Sequence, residues 1–262
     1  MRGLPAKGRS RPKALVLQHE LQHPRLPVRL ATLNVGTLTA RSRELASSLR
    51  SRRVDICSIQ ETRWKGSEIG DGYRLMYHGT SDRNGLGIAI SETSRNYVIA
   101  VDCISDRLMG VKVTMRIISA HASQMGCAAD EWNSFYEDLE QYVHSIEDEE
   151  VLLLGGDLNG HIGEEREGFD RWHGGYGYGT RNEEGQRILE FAAMSDLVIA
   201  KRQFRKRKSH LVTFTSGGRE TQIDFWMLRR RDRNILVDTK VIPSDHFAAQ
   251  HHLLVMDLKI WP

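Results

Sequence analysis

The sequence predicts an α/β fold in which mixed β-sheets are covered by helices within one domain. Three observations carry that expectation. After residue 28, short apolar runs alternate with segments of helical periodicity. Two Gly-containing strings, Asp82-Arg83-Asn84-Gly85 and Ser216-Gly217-Gly218-Arg219, separate apolar runs as antiparallel hairpin turns do. No tandem repeat or linker composition interrupts the chain beyond that point, and 262 residues can enclose one large core.

Residues 1–27 mix Pro, Gly and basic residues without periodicity, so a basic, disordered arm is expected there, with the folded domain over 28–262. Pro24 and Pro27 oppose regular structure just before the first strand, Val28 to Leu33. A helix over Ser42 to Arg52 and a strand over Val54 to Ile59 follow. Strands are then expected at Tyr73 to Tyr77, Leu86 to Ile90, Tyr97 to Val101, Met109 to Val113 and Arg116 to His121. Trp132, Phe135, Leu139 and Val143 recur at helical spacing, which places an amphipathic helix over Asp130 to Ile146, ahead of a strand at Val151 to Leu154. A helix over Glu183 to Met194 precedes a strand at Leu197 to Ala200. Leu211 to Thr215 and Gln222 to Met227 are expected to pair across the second turn string, and Ile235 to Ile242 and Leu253 to Ile260 complete the set.

Composition narrows the setting. No run approaches the ~20 apolar residues of a membrane-spanning helix. The first residues lack an apolar signal core, and three cysteines (Cys57, Cys103, Cys127) without ligand spacing fit a reducing compartment. The net charge of +3 is small, but Lys201, Arg202, Arg205, Lys206, Arg207 and Lys208 form one basic cluster, and Arg229, Arg230, Arg231 and Arg233 another. Such clusters serve equally as solvated loops or as phosphate contacts.

Chemistry concentrates at strand ends. The string GGDLNG, Gly155 to Gly160, follows an apolar strand, and its two glycines suit a tight turn from which Asp157 and Asn159 project. The same composition also makes inert turns. Glu61 ends another apolar strand, where a carboxylate can bind a hard divalent cation or simply form an ion pair. His121 closes a strand and His251 precedes the last one, and either could transfer a proton near neutral pH. Asp224, inside an apolar strand, needs a partner, and an Asp that orients a histidine is a recurrent solution.

Asn34 in LNVGTL, Glu61 in IQETRW, His121 in ISAHASQ, Asp157 and Asn159 in GGDLNG, Asp224 in TQIDFW and His251 in AQHHLLVMDL occur in the order of the endonuclease/exonuclease/phosphatase superfamily. ETRWKG, RNEEGQRILEF and HLVTFTSGGRETQID most resemble the endonuclease domain of RTE-like LINE retrotransposons and the craniofacial development protein-like group, over about Arg29 to Ile260. The resemblance implies a four-layer α/β sandwich, two mixed sheets packed face to face and flanked by helices. It implies a nuclease that nicks DNA, leaves a 3′-hydroxyl and works in the nucleus, where intact elements follow it with reverse transcriptase. Mg²⁺ or Mn²⁺ would be held by Glu61, Asn34, Asp157 and Gln250, with Asp157 activating water, Asn159 on the phosphate and His251 oriented by Asp224. Arg63, Lys65, Arg181, Asn182 and Thr213 would touch nucleic acid. Nothing in the sequence fixes an oligomeric state.

Departures from the family pattern are few. Gln250 stands where many members carry Asp, Gly36 replaces an Asp, Ser123 replaces a Pro, and the hairpin at Val111 to Arg116 is short. Ser244-Asp245-His246 imitates the superfamily's final motif, but its distance from the following apolar run favours His251 over His246. A phosphatase of the same superfamily, or a decayed copy that binds nucleic acid or protein without cutting, are the alternatives.

Overall fold

The computed structural model describes residues 26–64, 68–70, 72–79, 85–124, 126–200 and 206–260. In chain order the elements are β1 (Leu26–Asn34), α1 (Ser42–Ser51), β2 (Ile56–Gln60), β3 (Glu68–Gly70), β4 (Tyr73–His78), β5 (Leu86–Ser91), α2 (Glu92–Arg95), β6 (Ala100–Ser105), β7 (Leu108–Lys112) and β8 (Arg116–His121). There follow α3 (Ala129–Ser145), β9 (Leu152–Asp157), α4 (Glu183–Met194), β10 (Leu197–Ile199), β11 (Phe214–Ser216), β12 (Arg219–Thr221), β13 (Asp224–Arg229), β14 (Leu236–Val241) and β15 (Leu254–Ile260). Seven strands form one sheet in the order β14-β15-β1-β2-β5-β4-β3, and six form another, β10-β13-β9-β8-β7-β6. The β11–β12 hairpin stands apart from both.

Alternation of side chains along each strand divides the core into three layers. Leu30, Ile56, Ile88, Ile117, Leu153, Trp226 and Met256 meet between the two sheets. Leu33, Ile59 and Leu75 face outward from the seven-stranded sheet, where Leu45 and Leu49 of α1 cover them. Ile118, Leu154 and Met227 face outward from the other sheet against Trp132, Phe135 and Leu139 of α3 and Ile188 and Phe191 of α4. Strands buried on both faces read as unbroken apolar runs, and Leu152, Leu153 and Leu154 of β9 are such a run. The result is the four-layer α/β sandwich expected.

Topology gathers one edge. β1 and β2 are parallel, β8 and β9 are parallel, and β13 and β15 run antiparallel to β9 and β1. The ends of β1, β2, β8 and β9 therefore share an edge with the starts of β13 and β15.

Several local expectations change. β1 begins at Leu26, two residues early, because Pro27 lies where β15 alone pairs with β1 and a missing N–H is tolerated. The strand expected from Tyr97 starts at Ala100, since pairing with β7 sets its register and leaves Tyr97 and Ile99 exposed. β3 carries no apolar signature and was not expected. The turn at Ser216-Gly217-Gly218-Arg219 is present, but it joins β11 to the short β12, and β13 is a separate strand in another sheet. The short hairpin between β7 and β8 costs no pairing, for the ladder runs to Lys112 and Arg116 and Val113 N–H closes it on the Met115 carbonyl at 2.9 Å.

The glycines of GGDLNG also act differently from the expected turn, because Gly155 and Gly156 lie inside β9. A Cβ on Gly156 would sit 1.9 Å from the Ala120 carbonyl oxygen, and one on Gly155 would sit 2.6 Å from the Trp226 ring. They permit close approach of neighbouring chains. Gly156→Ala is accordingly expected to destabilise the fold by ~3 kcal/mol or more in denaturant unfolding, since its obstacle is backbone that cannot swing away.

Candidate active site

Asn34 closes β1, Glu61 follows β2, His121 closes β8, and Asp157 closes β9. Asp224 opens β13 directly opposite Asp157, and His121 is its partner on the other side. Three ionisable side chains thus stand in one row across the edge. From the opposing sheet, Asn34 Nδ2 donates to Glu61 Oε1 at 2.9 Å and to Asp157 Oδ2 at 3.0 Å. The Asn34 Oδ1 accepts from Gly36 N–H at 3.0 Å, which fixes the amide's orientation. One asparagine therefore bridges the carboxylates of two sheets.

His251 enters from the segment before β15. Its Nδ1 lies 3.1 Å from Asp224 Oδ2, and its Nε2 lies 3.7 Å from Asp157 Oδ2. His121 Nε2 lies 3.7 Å from Glu61 Oε1 and 4.0 Å from Asp157 Oδ2. Asn159 donates its backbone N–H to Asp157 Oδ1 at 3.1 Å and its side-chain amide to the Ala122 carbonyl at 3.0 Å. Glu61, Arg63 and Asn159 hold left-handed backbone, with φ of 53°, 43° and 49°. A left-handed residue bearing a Cβ costs on the order of 1 kcal/mol, so surrounding contacts must hold these three in place.

Electrostatics differentiates the row. Burial raises the pKa of Asp157, and the facing charge of Asp224 raises it further, against the pull of His251, His121 and Asn34. Burial lowers the pKa of His121 although Asp157 and Glu61 oppose the shift. Burial alone would lower His251 too, but Asp224 and Asp157 reverse this and push its pKa to about 9. At neutral pH the site holds a protonated His251 and a neutral His121 around a carboxylate with enhanced basicity.

Asn34, Glu61, Asp157, Asn159 and His251 form the floor of an open cleft of about 740 Å³, whose wall includes Phe214, Ser216, Gly217 and Arg219 of the β11–β12 hairpin, while His121 and Asp224 lie buried beneath it. Among the described residues, Asp157, Asp224 and His251 have ligand atoms within 4.8 Å of one another and could hold a metal ion. On the other side of Asp157, Glu61 is joined to it through Asn34 as a second pair of carboxylates. Both ring nitrogens of His121 are buried without a hydrogen-bond partner next to those carboxylates.

Other residues named from the sequence have different places. His246 is exposed and does not line the cleft, while its neighbour Asp245 accepts from the Ser48 hydroxyl at 2.5 Å. Gln250 lines the cleft but turns its amide to Ser216 Oγ at 2.8 Å. Arg63 pairs with Glu61 Oε2 at 2.9 Å, and Lys65 lies outside the described residues. Arg181 is held by Gln186 and by the carbonyls of Ile162 and Glu165. Asn182 caps α4, its Oδ1 accepting from Gly185 and His161 N–H at 2.8 Å each. Thr213 is fully buried, and its hydroxyl accepts from the Ile223 and Asp224 N–H groups at 3.0 Å, so it positions Asp224 instead of meeting nucleic acid.

Nor do Lys206, Lys208, Arg229 and Arg230, described members of the basic clusters, stand free as a patch at this edge. Arg229 ends β13 at the opposite edge from Asp224 and donates to the Ile146, Glu147 and Asp148 carbonyls beyond α3, and Arg230 pairs with Asp196. Lys206 pairs with Asp238 and Lys208 with Glu220, while residues 201–205 lie outside the described residues. Sequence reasoning missed Arg107, which donates to the His121 and Ala122 carbonyls at 3.4 and 3.3 Å.

The endonuclease/exonuclease/phosphatase family pattern matches residues 31–246, most of the chain and every one of the row's residues except His251. The chain belongs to this family. It is 29% identical over 249 residues to craniofacial development protein 2 of Bos taurus, covering 89% of this chain but 42% of that protein. The chain therefore spans less than half the length of this relative. The endonuclease domain of TRAS1, a telomere-specific non-LTR retrotransposon, superposes with a TM-score of 0.65 at 14% identity, covering 90% of this chain and 99% of the domain. A 3′ phosphatase from Neisseria bound to a product DNA hairpin superposes with a TM-score of 0.69 at 17% identity, covering 88% and 99%. At such identities the likeness to both structures is one of fold. No helix among the described residues is long and apolar enough to cross a membrane.

In metal-free protein, NMR titration of His251 is expected to give a pKa near 9, and Asp224→Asn should lower it, since it removes the nearest stabilising charge. A folded-state pKa above the unfolded value of about 6.5 means that the histidine's contribution to stability is complete below that value and is lost as pH rises through about 9.

Proposed function

We propose that the chain is a divalent-metal-dependent phosphodiesterase that nicks one strand of DNA and leaves a 3′-hydroxyl. The observation that carries this reading is the pairing of two carboxylates, Glu61 and Asp157, through Asn34, opposite a protonated histidine on the floor of an open cleft. Mg²⁺ or Mn²⁺, held by Glu61 with Asn34 and Asp157 beside it, would supply positive charge to the phosphate oxygens.

The protein's own groups have separable tasks. Asp157, with its raised pKa, accepts a proton more readily than an ordinary carboxylate and is placed to orient or deprotonate the attacking water. His251 is fixed by Asp224 and presents Nε2–H toward Asp157, where it can donate to phosphoryl oxygens as charge accumulates on them. Asn159 holds Asp157 through its backbone and lines the cleft, and its side-chain amide, donating one N–H to the Ala122 carbonyl, keeps a second for the phosphate. His121, neutral, can accept or donate one hydrogen bond next to Glu61 without adding charge.

DNA is favoured as substrate by the open cleft, by Arg219 in its wall and by Arg63 on Glu61, together with the fold likeness to a retrotransposon endonuclease domain. Arg63, Lys65 and Arg181 remain the proposed backbone contacts, and a DNA substrate makes the nucleus the expected location. The fold likeness to a 3′ phosphatase makes a phosphomonoester the second substrate to test.

Purified protein with Mg²⁺ should convert supercoiled plasmid to the nicked form, and a chelator should abolish this. The nick should prime a DNA polymerase without further treatment. Asp157→Ala and His251→Ala should each lower the rate by roughly 10²–10⁴-fold, whereas His246→Ala should cut like wild type. A folded wild type that leaves plasmid intact yet hydrolyses p-nitrophenyl phosphate would make the protein a phosphatase.

A further inference from the structure

The segment carrying His251 is built as an edge to the β11–β12 hairpin. Thr215 N–H donates to the Gln250 carbonyl and His252 N–H to the Thr213 carbonyl, each at 2.8 Å, with Phe214 and His251 bridged between them. Side chains repeat the pairing on either side of the histidine. Gln250 Nε2 donates to Ser216 Oγ at 2.8 Å, and Thr215 Oγ1 lies 3.2 Å from His252 Nε2. The Phe214 ring meets the His251 ring edge-on, centroids 4.8 Å apart and planes inclined at 62°.

We propose that this hairpin edge is a clamp that positions His251, and that Gln250 is a positioning residue closing it through Ser216 and not a ligand of the metal ion. Asp224 fixes one ring nitrogen of His251 but leaves the backbone before β15 free to slide, and the paired segment 213–216 removes that freedom. The Gln250 Nε2 is committed to a hydroxyl of the hairpin, and no hydrogen bond among the described residues ties its amide to Asn34, Glu61 or Asp157. The Gln250–Ser216 bond is exposed, so it adds little to global stability, and its effect falls on geometry. Displacement of a reacting group by a fraction of an ångström is sufficient to slow a reaction, and a full ångström can cost about a hundredfold.

The kinetic arm of the test rests on the nuclease reading above, and the spectroscopic arm does not. Gln250→Ala and Ser216→Ala should each lower kcat about tenfold with KM nearly unchanged and the same Tm. The double variant should be no slower than the slower single one, because both remove one interaction. Ser216→Thr, which keeps the hydroxyl, should restore the rate. Mn²⁺ binding, followed by electron paramagnetic resonance of the free ion, should be the same in wild type and Gln250→Ala. In metal-free protein labelled with ¹⁵N-histidine, both alanine variants should shift the His251 ring resonances. Weakened Mn²⁺ binding in Gln250→Ala alone would overturn the assignment in favour of a ligand, and unmoved His251 resonances in both variants would overturn the clamp. If wild type does not nick DNA, the resonances still decide the clamp, so its failure and that of the nuclease reading are distinguishable.

Discussion

Asp157 is a carboxylate almost wholly removed from water, 1% exposed, and facing another buried carboxylate, Asp224, across a strand pair. Two like charges in register inside a sheet are costly unless other groups answer them. Here the answers are Asn34 from the opposite sheet, the Asn159 backbone N–H, and His251, whose positive charge serves both acids. Each arrives on a different element, so the row is assembled only when both sheets are packed. The burial that makes Asp157 expensive also raises its pKa, and the charges that compensate it keep His251 protonated. Stability and reactivity here depend on the same few atoms.

The sheets bring these groups together by direction as much as by packing. Two parallel pairs, β1 with β2 and β8 with β9, send four strand ends to one edge, and two antiparallel neighbours start there. Gly156 lets β9 press against β8, and Gly155 makes room for the Trp226 ring between the sheets. The opposite edge is structural, with Arg229 collecting the carbonyls at the end of α3. That division of labour explains why Arg229, although part of a dense basic cluster, brings no charge to the cleft.

Elements whose burial follows from local pattern were legible in the sequence. α4 and β8 have the bounds their periodicity predicts, and the apolar run of β9 located Asp157 at a strand end. Features set by distant partners were not legible. The hydroxyl of Thr213 serves a strand that begins eleven residues later, and Gln250 is turned by a serine 34 residues away. Local charge density left the role of the basic clusters open in the same manner, because the partners of Lys206 and Arg230, Asp238 and Asp196, lie far off in sequence. The choice between His246 and His251 rested on spacing alone, and the contact with Asp224 places His251 in the row.

Two places for a cation compete: beside Glu61, or among Asp157, Asp224 and His251. In the proposed reading a hard cation takes the former, since in the metal-free site the latter contains a protonated histidine whose hydrogen bond to Asp224 would have to break. Anomalous diffraction from crystals soaked in Mn²⁺ distinguishes them. A peak on the Glu61 carboxylate, with the Asp224–His251 hydrogen bond retained, is the expected result, and a peak ligated by His251 and Asp224 would contradict the division of roles across the row.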